Sequence, residues 1–137
     1  MQYIIREIEI INKKSNKKEK ITQINYTGWP DHGIPDASEK NFESFCKIMT
    51  LAEKYKGNFP ITIHCSAGVG RTGTFISMYY LNKEIVKQIN NNSENIQFNI
   101  FNLVRKLKEM RMFLVQVFEQ YKFIYLFVDY LLKKLNI

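Results

Sequence analysis

Apolar and polar positions change rhythm several times along the chain, and each rhythm predicts an element. Residues 3–11 (YIIREIEII) are rich in isoleucine and partly alternating, which predicts a strand. A polar connector spans 12–20. Residues 21–27 alternate, with Thr22, Ile24 and Tyr26 on one face, and predict a second strand antiparallel to the first. Two glycines and two prolines within 28–35 demand a loop. Phe42, Phe45, Met49 and Ala52 then recur at helical spacing. Asp36 or Ser38 can cap this helix, Asp36 and Glu39 have capping-box spacing, and Gly57 is a natural stop.

Residues 61–64 predict a short strand, and 66–70 a loop of small residues. A helix over 72–90 should turn Phe75, Ile76, Tyr79 and Tyr80 inward. After a polar break at 90–95, Asn99 can cap a helix carrying Ile100, Val104 and Leu107. The last helix should begin near Gln116 and bury Val117, Tyr121, Ile124, Val128 and Leu131 or Leu132; Tyr26, Tyr79, Tyr121 and Tyr125 fit a core. The order strand, strand, helix, strand, three helices gives a helix-rich α/β chain, expected as one domain over residues 1–137.

Composition narrows the function classes. Twenty Lys and Arg against thirteen Asp and Glu give a formal charge of +7. Five of the lysines crowd into 13–20. No zinc-finger spacing or aromatic–basic interleaving marks a nucleic-acid platform, so the charge is expected to steer anionic phosphopeptides. The most apolar stretch, 112–132, is broken by Gln116, Glu119, Gln120, Lys122 and Asp129 and makes no comfortable bilayer span. Two cysteines, Cys46 and Cys65, are too few for a disulfide framework, and a cytoplasmic, reducing compartment is expected.

The chemistry concentrates at 64–73, HCSAGVGRTG, a glycine-rich loop that opens a helix. Such a loop turns successive N–H groups inward, and the helix adds its positive end, which together cradle a phosphate. Ser66, Ala67, Gly68, Val69 and Gly70 line the cradle with little bulk. The same amides stabilise a thiolate at Cys65, the attacking species that phosphorus requires. The planar fork of Arg71 can hold two phosphate oxygens. Thr72 can bond the sulfur and ease its departure, and His64 can order the loop backbone. Matching seven fixed positions by chance is about a one-in-ten-million event at ordinary residue usage. A Walker loop is excluded by the absence of its lysine, and zinc binding at His64 and Cys65 lacks further ligands. Cys46, on a predicted helix face, reads as a buried inert thiol.

HCSAGVGRTG resembles the active-site motif of the classical protein-tyrosine phosphatases, the receptor and non-receptor types. Residues 26–35, YTGWPDHGIP, look like their mobile acid-bearing loop, and 111–125, RMFLVQVFEQYKFIY, like their glutamine-bearing motif. The resemblance spans nearly the whole chain. It implies a twisted mixed sheet flanked by helices, truncated at the N-terminus. It further implies Cys65 as nucleophile, Asp31 as general acid and then base, Arg71 and the loop amides as the phosphate site, Gln116 as the residue that orients water, and Gln120 as a second glutamine nearby. Trp29 and Pro30 would anchor the acid loop, and Arg111 would make a structural ion pair. His32 would have no catalytic task. No metal or cofactor is implied, and the expected partners are phosphotyrosine-containing proteins in signalling. The family's domain is about twice this length, and its N-terminal half normally supplies much of the sheet and the depth of the phosphotyrosine pocket. An exposed apolar surface or strand edge is therefore expected. A non-catalytic phosphotyrosine- or partner-binding fragment and a dual-specificity phosphatase stay open beside the enzyme.

Overall fold

A hairpin of two nine-residue strands starts the chain. In the computed structural model, which describes residues 2–30 and 33–137, β1 (Tyr3–Ile11) pairs antiparallel with β2 (Lys18–Tyr26), from Tyr3 opposite Tyr26 to Ile11 opposite Lys18. The second strand starts three residues earlier than its apolar pattern predicts. The cause is the turn: the Asn12 Oδ1 accepts from the Lys14 and Ser15 amides at 2.9 and 3.2 Å, and Asn16 takes φ 55°, so the chain reverses by Lys17. Glu7 and Glu9 then meet Lys20 and Lys18 diagonally across the ladder at 2.7 and 3.1 Å. Lys17 bonds Glu19 at 2.6 Å. Three of the five clustered lysines are thus locally paired, which leaves less of the +7 charge to steer a distant anion than the sequence suggests. Ile4, Ile5, Ile10, Ile11 and Ile21 are exposed, on both faces of the hairpin, as the resemblance implied.

The chain divides into two compact units. Among the described residues the first comprises 2–30 and 38–61 and holds the hairpin and α1 (Glu39–Lys56). Phe42, Phe45, Ile48 and Met49 form the helix's buried stripe; Ala52 is only half-buried. The expected capping box does not form, because the N-cap is Ser38 and its side chain makes no capping bond. Gly57 ends the helix at φ 56°, as expected. Phe45 receives the Tyr26 ring at a centroid distance of 4.5 Å and the edge of Trp29 at 6.0 Å, so the start of the Trp-Pro loop is anchored on α1. Tyr26 donates to Gln2 at 2.8 Å, and burial pushes its phenol up to about 12. Cys46 is half-buried on α1 and outside any disulfide.

The second unit, residues 33–37 and 62–137, is built of α2 (Gly70–Asn90), α3 (Ile100–Met110) and α4 (Phe118–Leu135), with α2 packed on α3 and α4. The buried face of α2 is a correction. Instead of Phe75, Ile76, Tyr79 and Tyr80, the stripe is Gly70, Gly73, Thr74, Ser77, Met78, Leu81 and Ile85; the three former residues are half-buried and Tyr80 is exposed. Thr74 and Ser77 are buried at no polar cost, since their hydroxyls donate to the Gly70 and Gly73 carbonyls at 2.9 and 2.8 Å. Asn99 caps α3 as expected, accepting from Asn102 at 2.8 Å, and Ile100 and Val104 are buried. In α4 the core residues are Phe123, Ile124, Phe127, Val128 and Leu131. Val117 is exposed, Tyr121 half-buried and Tyr125 exposed, their hydroxyls 3.0 Å apart.

Residues 61–64 form no strand. Among the described residues the sheet has two strands, β1 and β2, and neither pairs with this segment. Its β-prone composition has no ladder to join, and an extended segment without a neighbour earns no regular hydrogen bonds.

Candidate active site

The loop from Cys65 to Gly70 enters α2 directly, without a capping side chain at Val69. Gly68 takes φ 69°, a left-handed conformation that lets the loop close on itself. Burial pushes the Cys65 thiol up, but the Thr72 hydroxyl and the Thr72, Gly68 and Val69 amides facing the sulfur outweigh it, and the net direction is down. The Thr72 hydroxyl is itself buried and pairs with no oxygen or nitrogen. The Cys65 sulfur is what it faces, without meeting full hydrogen-bond geometry. A neutral sulfur rewards such an unspent donor poorly, whereas a thiolate or a phosphoryl oxygen rewards it well.

Arg71 is the second residue of α2 and is half-buried. Ser66 and Ala67 are exposed, Gly68 and Val69 half-buried, and Gly70 buried. His64 is exposed, and among the described residues its ring makes no hydrogen bond, so the loop is not ordered by it. Arg111 takes that part instead. Its Nη2 donates to the Ala67 carbonyl at 3.3 Å, and a Cβ on Gly68 would lie 3.3 Å from the same nitrogen. The expected ion pair of Arg111 is absent among the described residues. Nothing in the sequence signals this brace, because its acceptor is a backbone carbonyl 44 residues away.

The last helix begins two residues after Gln116, so only one of the two glutamines is helical. Gln116 precedes α4 and Gln120 lies in its first turn, where it is buried. The Gln120 Oε1 accepts from the Gln116 and Val117 amides at 2.9 and 3.4 Å, one half of a capping box whose other half Val117 cannot supply. Both side chains reach the end of the phosphate loop. A Cβ on Gly70 would stand 2.8 Å from Gln120 Nε2 and 3.3 Å from Gln116 Oε1. Gln116 leaves the helix because the turn before it uses unusual backbone: Phe113 has φ 69° and the β-branched Val115 has φ 57°. Val115 is buried, and its amide nitrogen lies so close to Gly73 that a Cβ there would overlap it. Asp31 and His32 lie outside the described residues.

A family model described as protein-tyrosine phosphatase matches residues 1–130. The chain belongs to the protein-tyrosine phosphatase family. Human tyrosine-protein phosphatase non-receptor type 20 is 37% identical over 97% of this chain and 29% of its own length. Tyrosine-protein phosphatase 2 of Dictyostelium discoideum is 35% identical over 92% of this chain and 32% of its own. Human receptor-type tyrosine-protein phosphatase alpha is 36% identical over 90% and 14%. The crystal structure of a protein tyrosine phosphatase from Trypanosoma brucei superposes with a TM-score of 0.73 at 30% identity, covering 99% of this chain and 44% of that one. The α/β tyrosine-phosphatase fold is therefore present, and this phosphatase-family chain spans a third or less of the named curated relatives. No helix among the described residues is long and apolar enough to cross a membrane.

Proposed function

We propose that the chain is the C-terminal half of a tyrosine-phosphatase catalytic domain, one partial domain over residues 1–137, that hydrolyses phosphotyrosine in proteins. The observation that carries this is the Cys65 thiol drawn down by the Gly68 and Val69 loop amides and by the Thr72 amide and hydroxyl, at the mouth of a loop that leads into a helix. In the first step the Cys65 Sγ attacks phosphorus in line, the S–P bond forms and the P–O bond to tyrosine breaks. Asp31 gives the leaving tyrosyl oxygen its proton. Arg71 and the loop amides hold the equatorial oxygens, which gather charge in the transition state. In the second step a water placed by Gln116, with Gln120 beside it, attacks phosphorus. The S–P bond breaks, the Thr72 hydroxyl eases the departing thiolate, and Asp31 takes the water proton. The thiolate requires a reducing surrounding, which supports a cytoplasmic setting.

Release of p-nitrophenolate from p-nitrophenyl phosphate tests the reading. Cys65→Ser should abolish it and Asp31→Ala should slow it. Full activity in the Cys65→Ser protein would sink the mechanism. The small share of its relatives that this chain covers favours a second reading, a binding fragment; saturable phosphotyrosine-peptide binding by wild-type chain that never turns over would establish it.

A further inference from the structure

The peptide unit that joins Val115 to Gln116 is held at both poles. Its N–H, on Gln116, donates to the Gln120 Oε1 at 2.9 Å. Its C=O, on Val115, accepts from the Lys108 Nζ at 3.0 Å. On the near side the Val115 amide nitrogen rests against Gly73 of α2. Leu114 closes the turn by donating to the Arg111 carbonyl at 3.3 Å. A β-branched residue at φ 57° reverts to ordinary backbone unless its surroundings hold it there. Gly73 limits where Val115 can stand, and the two hydrogen bonds fix how its following peptide plane is turned. Of the three restraints, the Lys108 ammonium alone comes from α3, and it spans seven residues to reach its carbonyl.

We infer that Lys108 is a positioning residue for Gln116: by holding the Val115 carbonyl it keeps the strained turn in register, so that the Gln116 side chain stands beside Gly70 at the end of the phosphate loop. The inference rests on the proposed role of Gln116 in placing water. Lys108 lies on the last turn of α3, one turn before Arg111, whose guanidinium holds the phosphate loop. The two cations divide the site between them: Arg111 shapes the loop that receives phosphate in the first step, and Lys108 orients the glutamine used in the second. In that second step the water oxygen bonds phosphorus, the S–P bond breaks, phosphate leaves and the proton passes to the general base. Loss of Lys108 should slow this step and spare the first.

The test uses the full chain as wild type, Lys108→Met and Lys108→Arg. During turnover of p-nitrophenyl phosphate, rapid acid quench and mass spectrometry give the fraction of Cys65 held as cysteinyl phosphate. Lys108→Met should hydrolyse that intermediate about tenfold more slowly, well inside the hundredfold that an ångström of misplacement can cost. The phosphorylated fraction should rise accordingly, and Lys108→Arg should restore most of the rate, since a guanidinium can still reach the carbonyl. Equal slowing of both steps, with no accumulation of intermediate, overturns the positioning role. A second readout needs no turnover: exchange of the Gln116 amide proton, followed by NMR, should quicken about tenfold in Lys108→Met, because opening the turn exposes that N–H. Unchanged exchange at Gln116 overturns the inference whether or not the chain is active. Quickened exchange in Lys108→Met, beside a wild-type chain that never forms cysteinyl phosphate, leaves the brace standing and refutes the catalytic reading alone.

Discussion

Replacing Gly73 with alanine tests the packing on which the site rests. In an ordinary helix interior this change stabilises, by about 1 kcal/mol. Here the new methyl would overlap the Val115 amide nitrogen and lie 3.0 Å from the Leu114 Cα and carbonyl carbon. All three obstacles are backbone atoms in a turn already pinned by hydrogen bonds, so no side chain can rotate away. Overpacking of this kind costs about 1–3 kcal/mol, and against backbone the upper part of the range applies. Subtracting the helix gain leaves a net loss of about 1–2 kcal/mol, or a few degrees in Tm for a chain of this size. Urea unfolding followed by ellipticity at 222 nm measures it, with Ser77→Ala, which removes a hydroxyl bonded only to the Gly73 carbonyl, as a milder comparison on the same stripe. A Gly73→Ala chain as stable as wild type, or more so, would refute the argument that α2 lies in backbone contact with the turn before Gln116.

Thr72→Val should raise the Cys65 thiol toward its ordinary value while changing stability by less than about 1 kcal/mol, because the lost hydroxyl had no other partner. The pH profile of Cys65 alkylation by iodoacetamide, read by mass spectrometry with Cys46 as internal reference, checks it. Phe113→Gly should stabilise by about 0.5–1 kcal/mol: φ 69° costs an L-residue more than glycine's extra unfolded freedom, and the phenyl ring, 61% exposed, gives up little packing. Urea midpoints decide it, and a destabilised variant contradicts it. Tyr26, held near 12 against 10.0 for a free phenol, should contribute stability that is complete below pH 10 and fades as pH climbs from 10 to 12. Absorbance of tyrosinate at 295 nm, compared with Tyr26→Phe, shows whether one phenol titrates late.

Where local chemistry decides, the sequence was readable. Alternating isoleucines marked β1, Asn99 and Gly57 marked helix ends, and HCSAGVGRTG marked the loop whose amides face Cys65. Where neighbours decide, it was not. The buried face of α2 escaped notice because Thr74 and Ser77 look polar in a string of letters, yet spend their hydroxyls on carbonyls one turn back and pass as small apolar residues. Gln116 was assigned to the last helix since nothing in RMFLVQV announces that Phe113 and Val115 adopt left-handed backbone. Residues 61–64 carry β propensity, but pairing needs a second strand that the first two do not provide. The roles of Arg111 and Lys108 depend on carbonyls of other segments, which no spacing rule encodes.

The absence of pairing at 61–64 has a consequence for handling this protein. Among the described residues, Cys65 follows a segment that joins no sheet ladder and precedes a loop that enters α2. An oxyanion seated among the amides would hold this loop further, and mass action converts that occupancy into resistance to unfolding. Phosphate, tungstate or sulfate in the buffer then acts as scaffolding as well as ligand. Melting curves recorded in phosphate and in an amine buffer should part company, with the gap closing in Cys65→Ser only as far as sulfur itself takes part in the grip.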